Sequence, residues 1–93
     1  MKRKKVDAEH VFGWVLTEIR LEQGLSQEAL SFECDLHRTH VSFLERGLRS
    51  PTLGTLVLLS RALGVPLSEI MRRFEKRLGK TEPRRRQRKG SAR

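Results

Sequence analysis

Apolar residues recur along this chain at steps of three and four, in five runs separated by short polar or glycine-containing breaks. The first run, Val11, Phe12, Val15, Leu16 and Ile19, predicts a helix that starts at a capping Asp7 and stops at Gly24. Val6 and Val11 have the spacing of a hydrophobic staple across that start. Trp14 lies off the stripe, either half-buried or joining an interface. The second run is short: Ser26 caps a helix over Gln27–Glu33, with Ala29 and Leu30 facing inward. Cys34, Asp35 and Leu36 are too few for an independent loop, so they must turn the chain sharply. A helix over His37–Arg46 then places Val41 and Leu44 inward and leaves Arg38, Thr39, Ser42 and Phe43 outward, with Gly47 closing it.

Thr52 is placed to cap a fourth helix. Its apolar residues Leu53, Leu56, Val57, Leu59, Ala62 and Leu63 make contacts on more than one side, and Gly64 ends it. Gly54 weakens that helix by about 1 kcal/mol relative to alanine, which puts it near the first turn. Val65 and Pro66 restart the chain for a fifth helix carrying Leu67, Ile70, Met71, Phe74 and Leu78. Its first half closes the core. Phe74 and Leu78 project beyond what four helices need to cover, toward the monomer or a self-association surface. The expectation is therefore an all-α fold, a compact five-helix domain over residues 7–78. A basic arm at 1–6 precedes it, and a basic tail at 79–93, with no periodic apolar residue and strong self-repulsion, is disordered when free.

The stretch from Ser26 to Gly47 resembles the helix-turn-helix of the phage lambda repressor and Cro-like DNA-binding family. Ser26, Gln27, Leu30, Leu36, Ser42, Leu44, Glu45, Arg46 and Gly47 carry the resemblance, followed by Pro51, Leu53 and Leu56. The similar region runs from about Phe12 to Met71. Three positions depart from the pattern: Asp35 stands where the family usually has a turn glycine, Ser31 where it usually has alanine, and Phe43 is a large apolar group at an outward position. Aspartate tolerates the left-handed conformation better than most residues, and serine is nearly as small as alanine. The resemblance also aligns Arg20 and Glu45 with a pair that the family joins as a salt bridge. Such a bridge fixes helix orientation more than it adds net stability; the alternative is two unrelated surface charges.

Composition changes the picture in two ways. Hydrophobic residues make up 37% and aromatics 5%, which favours a helical core of Leu, Val and Ile. One cysteine excludes an internal disulfide framework and fits a reducing, bacterial-type cytoplasm. No apolar run approaches the roughly 20 residues that span a membrane, and the basic N-terminus lacks the apolar segment of a secretory signal. The formal charge of +9 is unevenly placed. Residues 1–5 carry four Lys/Arg and no acid, and residues 72–93 carry eleven Lys/Arg against Glu75 and Glu82. Residues 6–71 have five Arg and nine acids, a net of −4. The ends hold all the excess, so the global charge says little about the domain face.

Candidate chemistry follows from the helix-turn-helix. The N-terminal part of a recognition helix enters the groove first, so Arg38 and Thr39 meet base edges. Arg38 can grip guanine O6 and N7 in a bidentate bond, and Thr39 offers a hydroxyl and a methyl. Phe43, one turn on, lies against thymine methyls or else against protein, and Ser42 reaches a base or a phosphate. Gln27, at the start of the second helix, is similar to the family's backbone clamp. His40 and Arg46 are better placed for phosphates than for bases, and Arg49, beside the recognition helix, suits a phosphate or solvent. Cys34, His37 and His40 are spaced three apart, but two helical turns cannot supply a closed four-ligand site from these alone. Cys34 reads instead as a small turn residue packed on the core, and His37 as a substitute N-cap. No catalytic motif, cofactor site or small-molecule site emerges.

The reading is a sequence-specific, double-stranded DNA-binding transcriptional regulator, a homodimer on a pseudo-palindromic operator with residues 37–46 in the major groove. The run from Leu36 to Gly47 is similar to that in small regulators of mobile elements, including restriction–modification controllers. The rival is an adaptor that binds a protein through its helices and RNA or the ribosome through its basic ends.

Overall fold

The computed structural model describes residues 7–81. They form α1 (Ala8–Glu22), α2 (Gln27–Glu33), α3 (Arg38–Glu45), α4 (Leu53–Leu63) and α5 (Leu67–Thr81), with no strand among the described residues. The arm at 1–6, with the Val6 half of the staple, and the tail beyond Thr81 lie outside them. Helix starts follow the capping residues. Asp7 accepts from the His10 amide at 3.1 Å, Ser26 from Ala29 at 3.0 Å and Thr52 from Thr55 at 3.0 Å. No single described helix is long and apolar enough to cross a membrane.

The core gathers Phe12, Val15, Leu16 and Ile19 of α1 with Leu30, Cys34, Val41, Leu44, Leu59, Leu63 and Ile70. Each large aliphatic group fully buried here contributes about 1.5–3 kcal/mol relative to exposure. α1 is the central element, packed against both α3 and α5. Two expectations need correction. Leu53 is 73% exposed, because it is the first residue of α4, before that helix meets the core. Thr55 takes the inward place, its hydroxyl accepting from Thr52 at 2.9 Å so that no polar atom is stranded. Of the two alternatives for Phe74, docking in the monomer is the one taken: it packs edge-on against Phe12, with ring centroids 6.4 Å apart. α5 also runs through Gly79 to Thr81.

Ion pairs join α5 to α1 as far as Arg77. Arg73 reaches both carboxylate oxygens of Glu22 at 2.9 and 3.1 Å, and Arg77 reaches Glu18 at 3.1 Å, so the helix is tied along α1. Arg77 also lies 5.3 Å from the centre of the Trp14 ring, which is 51% exposed and meets His10 edge-on.

One residue sets how closely α1 can approach the end of α3. Gly13 is buried, and a methyl group on it would lie 2.7 Å from the Leu44 carbonyl oxygen and 2.8 Å from the Glu45 carbonyl carbon. Those are backbone atoms, which cannot swing away. Only glycine allows the two helices to meet at this distance.

Gly13→Ala and Gly54→Ala therefore have opposite signs. On an open helix alanine gains up to about 1 kcal/mol over glycine, and Gly54 has only an ordinary contact, Thr52 Oγ1 at 3.8 Å. At Gly13 overpacking reverses the sign, with a loss of about 1–3 kcal/mol. Chemical denaturation checks both, and equal stabilisation by the two would remove the close-approach role.

A second prediction concerns acid. Hydrogen bonds from Arg72 and Arg73 lower the Glu69 carboxyl from 4.5 to about 2, and the Arg73 hydrogen bond lowers Glu22. A carboxylate whose pKa is depressed by folding binds its proton first in the unfolded state. The stability it contributes is thus full above pH 4.5 and is lost as pH falls toward about 2. Tm should fall through that window, and Glu69→Gln should make the fall shallower. An unchanged profile would mean that these pairs do not couple to folding.

Candidate nucleic-acid interface

The turn into α3 is built on Asp35, whose φ is 55°. In that left-handed conformation the Leu36 amide donates to the Ser31 carbonyl at 3.0 Å, and the Asp35 amide to Phe32 at 3.3 Å. These two bonds close α2 as glycine usually does at such a position. Ser31 is buried, and its hydroxyl donates to the Glu28 carbonyl at 2.7 Å, so serine in the alanine's place leaves no unpaired polar atom. Cys34 is buried beside it, and burial raises the thiol pKa. The thiol is thus kept neutral as a core group. His37 caps α3, its Nδ1 accepting from the Thr39 amide at 3.1 Å. Among the described residues no group of three or more His, Cys, Asp or Glu is arranged to hold a metal.

α3 buries Val41, Leu44 and Glu45. Arg38 and Thr39 are exposed at its N-terminal end, His40, Ser42 and Phe43 are half-buried, and Arg46 and Arg49 are exposed. Thr39, Ser42, Phe43 and Arg46 follow the three- and four-residue steps of one outward face. At its other end Gly47 has φ 74°, with the Leu48 amide donating to the Phe43 carbonyl at 2.9 Å and the Gly47 amide to Leu44 at 3.2 Å. This closure folds the following residues back over the last turn. It sets the Arg49 guanidinium 5.7 Å from the Phe43 ring centre, while Arg46 lies 5.8 Å from it.

What holds α3 is a buried ion pair. Arg20 Nε donates to Glu45 Oε2 at 2.6 Å and Nη2 to Oε1 at 2.9 Å, and Nη1 donates to the Leu25 carbonyl at 2.7 Å. Each of the two residues is 8% exposed. Gln27 Nε2 donates to Glu45 Oε1 at 2.9 Å. The amide expected to face a phosphate thus gives one of its two N–H groups to the ion pair, and Gln27 is half-buried. Gly13 and the Leu25 carbonyl are the members of this arrangement that sequence reasoning missed. An isolated glycine inside an amphipathic helix is the signal that points to the first, because its helix penalty needs a packing reason. A backbone carbonyl gives no such signal.

Set against known proteins, residues 16–70 match a family model described as helix-turn-helix. Control protein C.BamHI of Bacillus amyloliquefaciens is 45% identical over 62 residues, covering 66% of this chain and 76% of that protein. Control protein C.MunI of a Mycoplasma species is 41% identical over 66 residues, covering 70% and 89%. The crystal structure of the restriction-modification controller protein C.AhdI from Aeromonas hydrophila matches with a TM-score of 0.67 at 38% identity, covering 71% of this chain and 98% of that one. The chain belongs to the lambda repressor and Cro-like helix-turn-helix family of DNA-binding transcriptional regulators, not enzymes, and is similar to its restriction–modification controller proteins.

Proposed function

We propose that the chain regulates transcription as a homodimer that reads a pseudo-palindromic operator with α3 in the major groove. The observation that carries this is the state of Arg38 and Thr39. Both are exposed at the leading end of α3, and the Arg38 guanidinium has no hydrogen-bond or ion-pair partner among the described residues. An arginine left unpaired at that position is available for guanine, and the threonine beside it for a neighbouring base. Ser42 extends the same face. His40, Arg46 and Arg49 flank it as phosphate ligands, which position the helix without reading sequence. Gln27 serves this reading through Glu45. Its amide has a second N–H, which can donate to a phosphate without leaving that partner.

Dimerisation follows from information content, since one such helix reads too few base pairs to pick out a genomic site. Two half-sites should lie about 34–36 Å apart, one helical turn. Exposed apolar groups suited to burial between copies remain around α4 and the connection before it, at Leu48, Leu53 and Leu58. Similarity to restriction–modification controllers supports the same regulatory setting for this chain. The tail adds sequence-independent charge.

Selection of bound duplexes from a random pool tests the reading. An enriched symmetric motif supports it, and featureless enrichment favours the adaptor. Two variants then separate reading from holding. Arg38→Ala should cost about 1–3 kcal/mol at one base pair of the selected motif and weaken random duplex much less. Ending the chain at Thr81 removes six Lys/Arg and one acid. It should weaken both duplexes by similar factors and flatten the log–log salt slope by about 0.9 for each phosphate no longer neutralised. If the truncation abolishes preference while Arg38→Ala keeps it, the tail is the specific element.

A further inference from the structure

We propose that Phe43 is a positioning residue that gathers Arg46 and Arg49 into a paired phosphate clamp at the end of α3, rather than a reader of bases; the inference rests on the DNA-binding role of that helix. Phe43 is a large aromatic group on the outward face, half-buried and outside the core. Both guanidinium carbons lie within 6 Å of its ring centre, at 5.8 Å for Arg46 and 5.7 Å for Arg49. That is the range of a cation–π contact.

The two arginines reach the ring by different backbone routes. Arg46 is three residues on, so ordinary helical spacing makes it a neighbour. Arg49 arrives only because the chain reverses at Gly47. The reversal itself leaves no room for another residue: φ is 74°, and a methyl group on Gly47 would lie 2.9 Å from the His10 Cα.

Charge pairing separates these arginines from most others. Arg20, Arg72, Arg73 and Arg77 each pair with a glutamate. Arg46 and Arg49 have no carboxylate partner among the described residues, and each has the Phe43 ring instead. An aromatic ring holds a guanidinium without neutralising it, and its N–H groups stay available to phosphate oxygens. Two long side chains ordered before binding lose less rotamer freedom when they meet the DNA backbone. A carboxylate at the same place would hold them equally well and cancel their charge.

The test compares Phe43→Leu, which keeps apolar bulk, with Phe43→Tyr, which keeps the ring. Both are measured on the selected duplex and on random duplex across salt concentrations. Phe43→Leu should weaken both duplexes by the same factor, about two- to fivefold per arginine. It should also flatten the salt slope by up to about 0.9 for each phosphate that the arginines no longer hold. Phe43→Tyr should stay within about twofold of the unmodified chain. In an Arg46→Ala/Arg49→Ala background, Phe43→Leu should add nothing. Loss of preference at a single base pair with an unchanged salt slope would make the ring a base reader and overturn the proposal.

An NMR measurement on the unmodified full chain does not depend on any variant folding. The side-chain protons of Arg46 and Arg49 should show ring-current shifts, and their absence would also overturn the proposal. If the unmodified chain selects no motif, the DNA-reading role itself has failed. If it selects one and Phe43→Leu binds as the unmodified chain does, only the clamp has failed.

Discussion

Everything that the outward face of α3 does depends on where α3 is held, and that is fixed by the buried pair of Arg20 and Glu45. Removing both charges from water is expensive, and their attraction offsets this only when every polar atom is used. Here they are used. Glu45 accepts from two Arg20 nitrogens and from Gln27, and the remaining Arg20 nitrogen donates to the Leu25 carbonyl. One carboxylate thereby ties α1, the connection after it and α2 to the end of α3. A bidentate fork has a narrow range of acceptable geometry, whereas apolar packing alone lets helices slide and rotate. Gly13 completes the constraint by letting the α1 and α3 backbones approach to near contact. The interaction sets orientation more than stability.

The division of the arginines follows from this frame. Those on α1 and α5 are spent on glutamates: Arg20 on Glu45, Arg73 on Glu22 and Glu69, Arg72 on Glu69, and Arg77 on Glu18. Those on and just after α3 are not. The acidic balance of residues 6–71 therefore does not argue against DNA binding. A net charge averages over the whole surface, whereas a phosphate meets only the few groups on one face.

Most of the fold was legible in the sequence because it depends on local rules. Apolar spacing located all five helices, and Asp7, Ser26, His37 and Thr52 located four starts. Asp35 was readable as a left-handed turn residue because its short side chain tolerates the conformation. What was not legible depended on contacts between elements. Gln27 looked like a surface donor until Glu45 came within 2.9 Å of it. Leu53 fits the apolar pattern of α4, but at the first position of that helix there is nothing to pack on. Whether Phe74 docks in the monomer or on another copy was open because Phe12 is 62 residues earlier, and periodicity within a helix says nothing about such a partner. The Phe43 cluster was hidden for the same reason: its second arginine arrives only through the reversal at Gly47.

The most direct measurement replaces the pair with apolar groups and asks what is lost. Arg20→Met/Glu45→Met removes both charges together, so neither is left buried alone, and such exchanges are often neutral in stability. The quantity to measure is the ratio of affinities for the selected duplex and for random duplex. If the pair orients the reading helix, the variant remains folded, keeps its binding to random duplex and loses much of that ratio. A folded variant with an unchanged ratio would show that apolar packing and Gly13 alone set α3, contradicting the account.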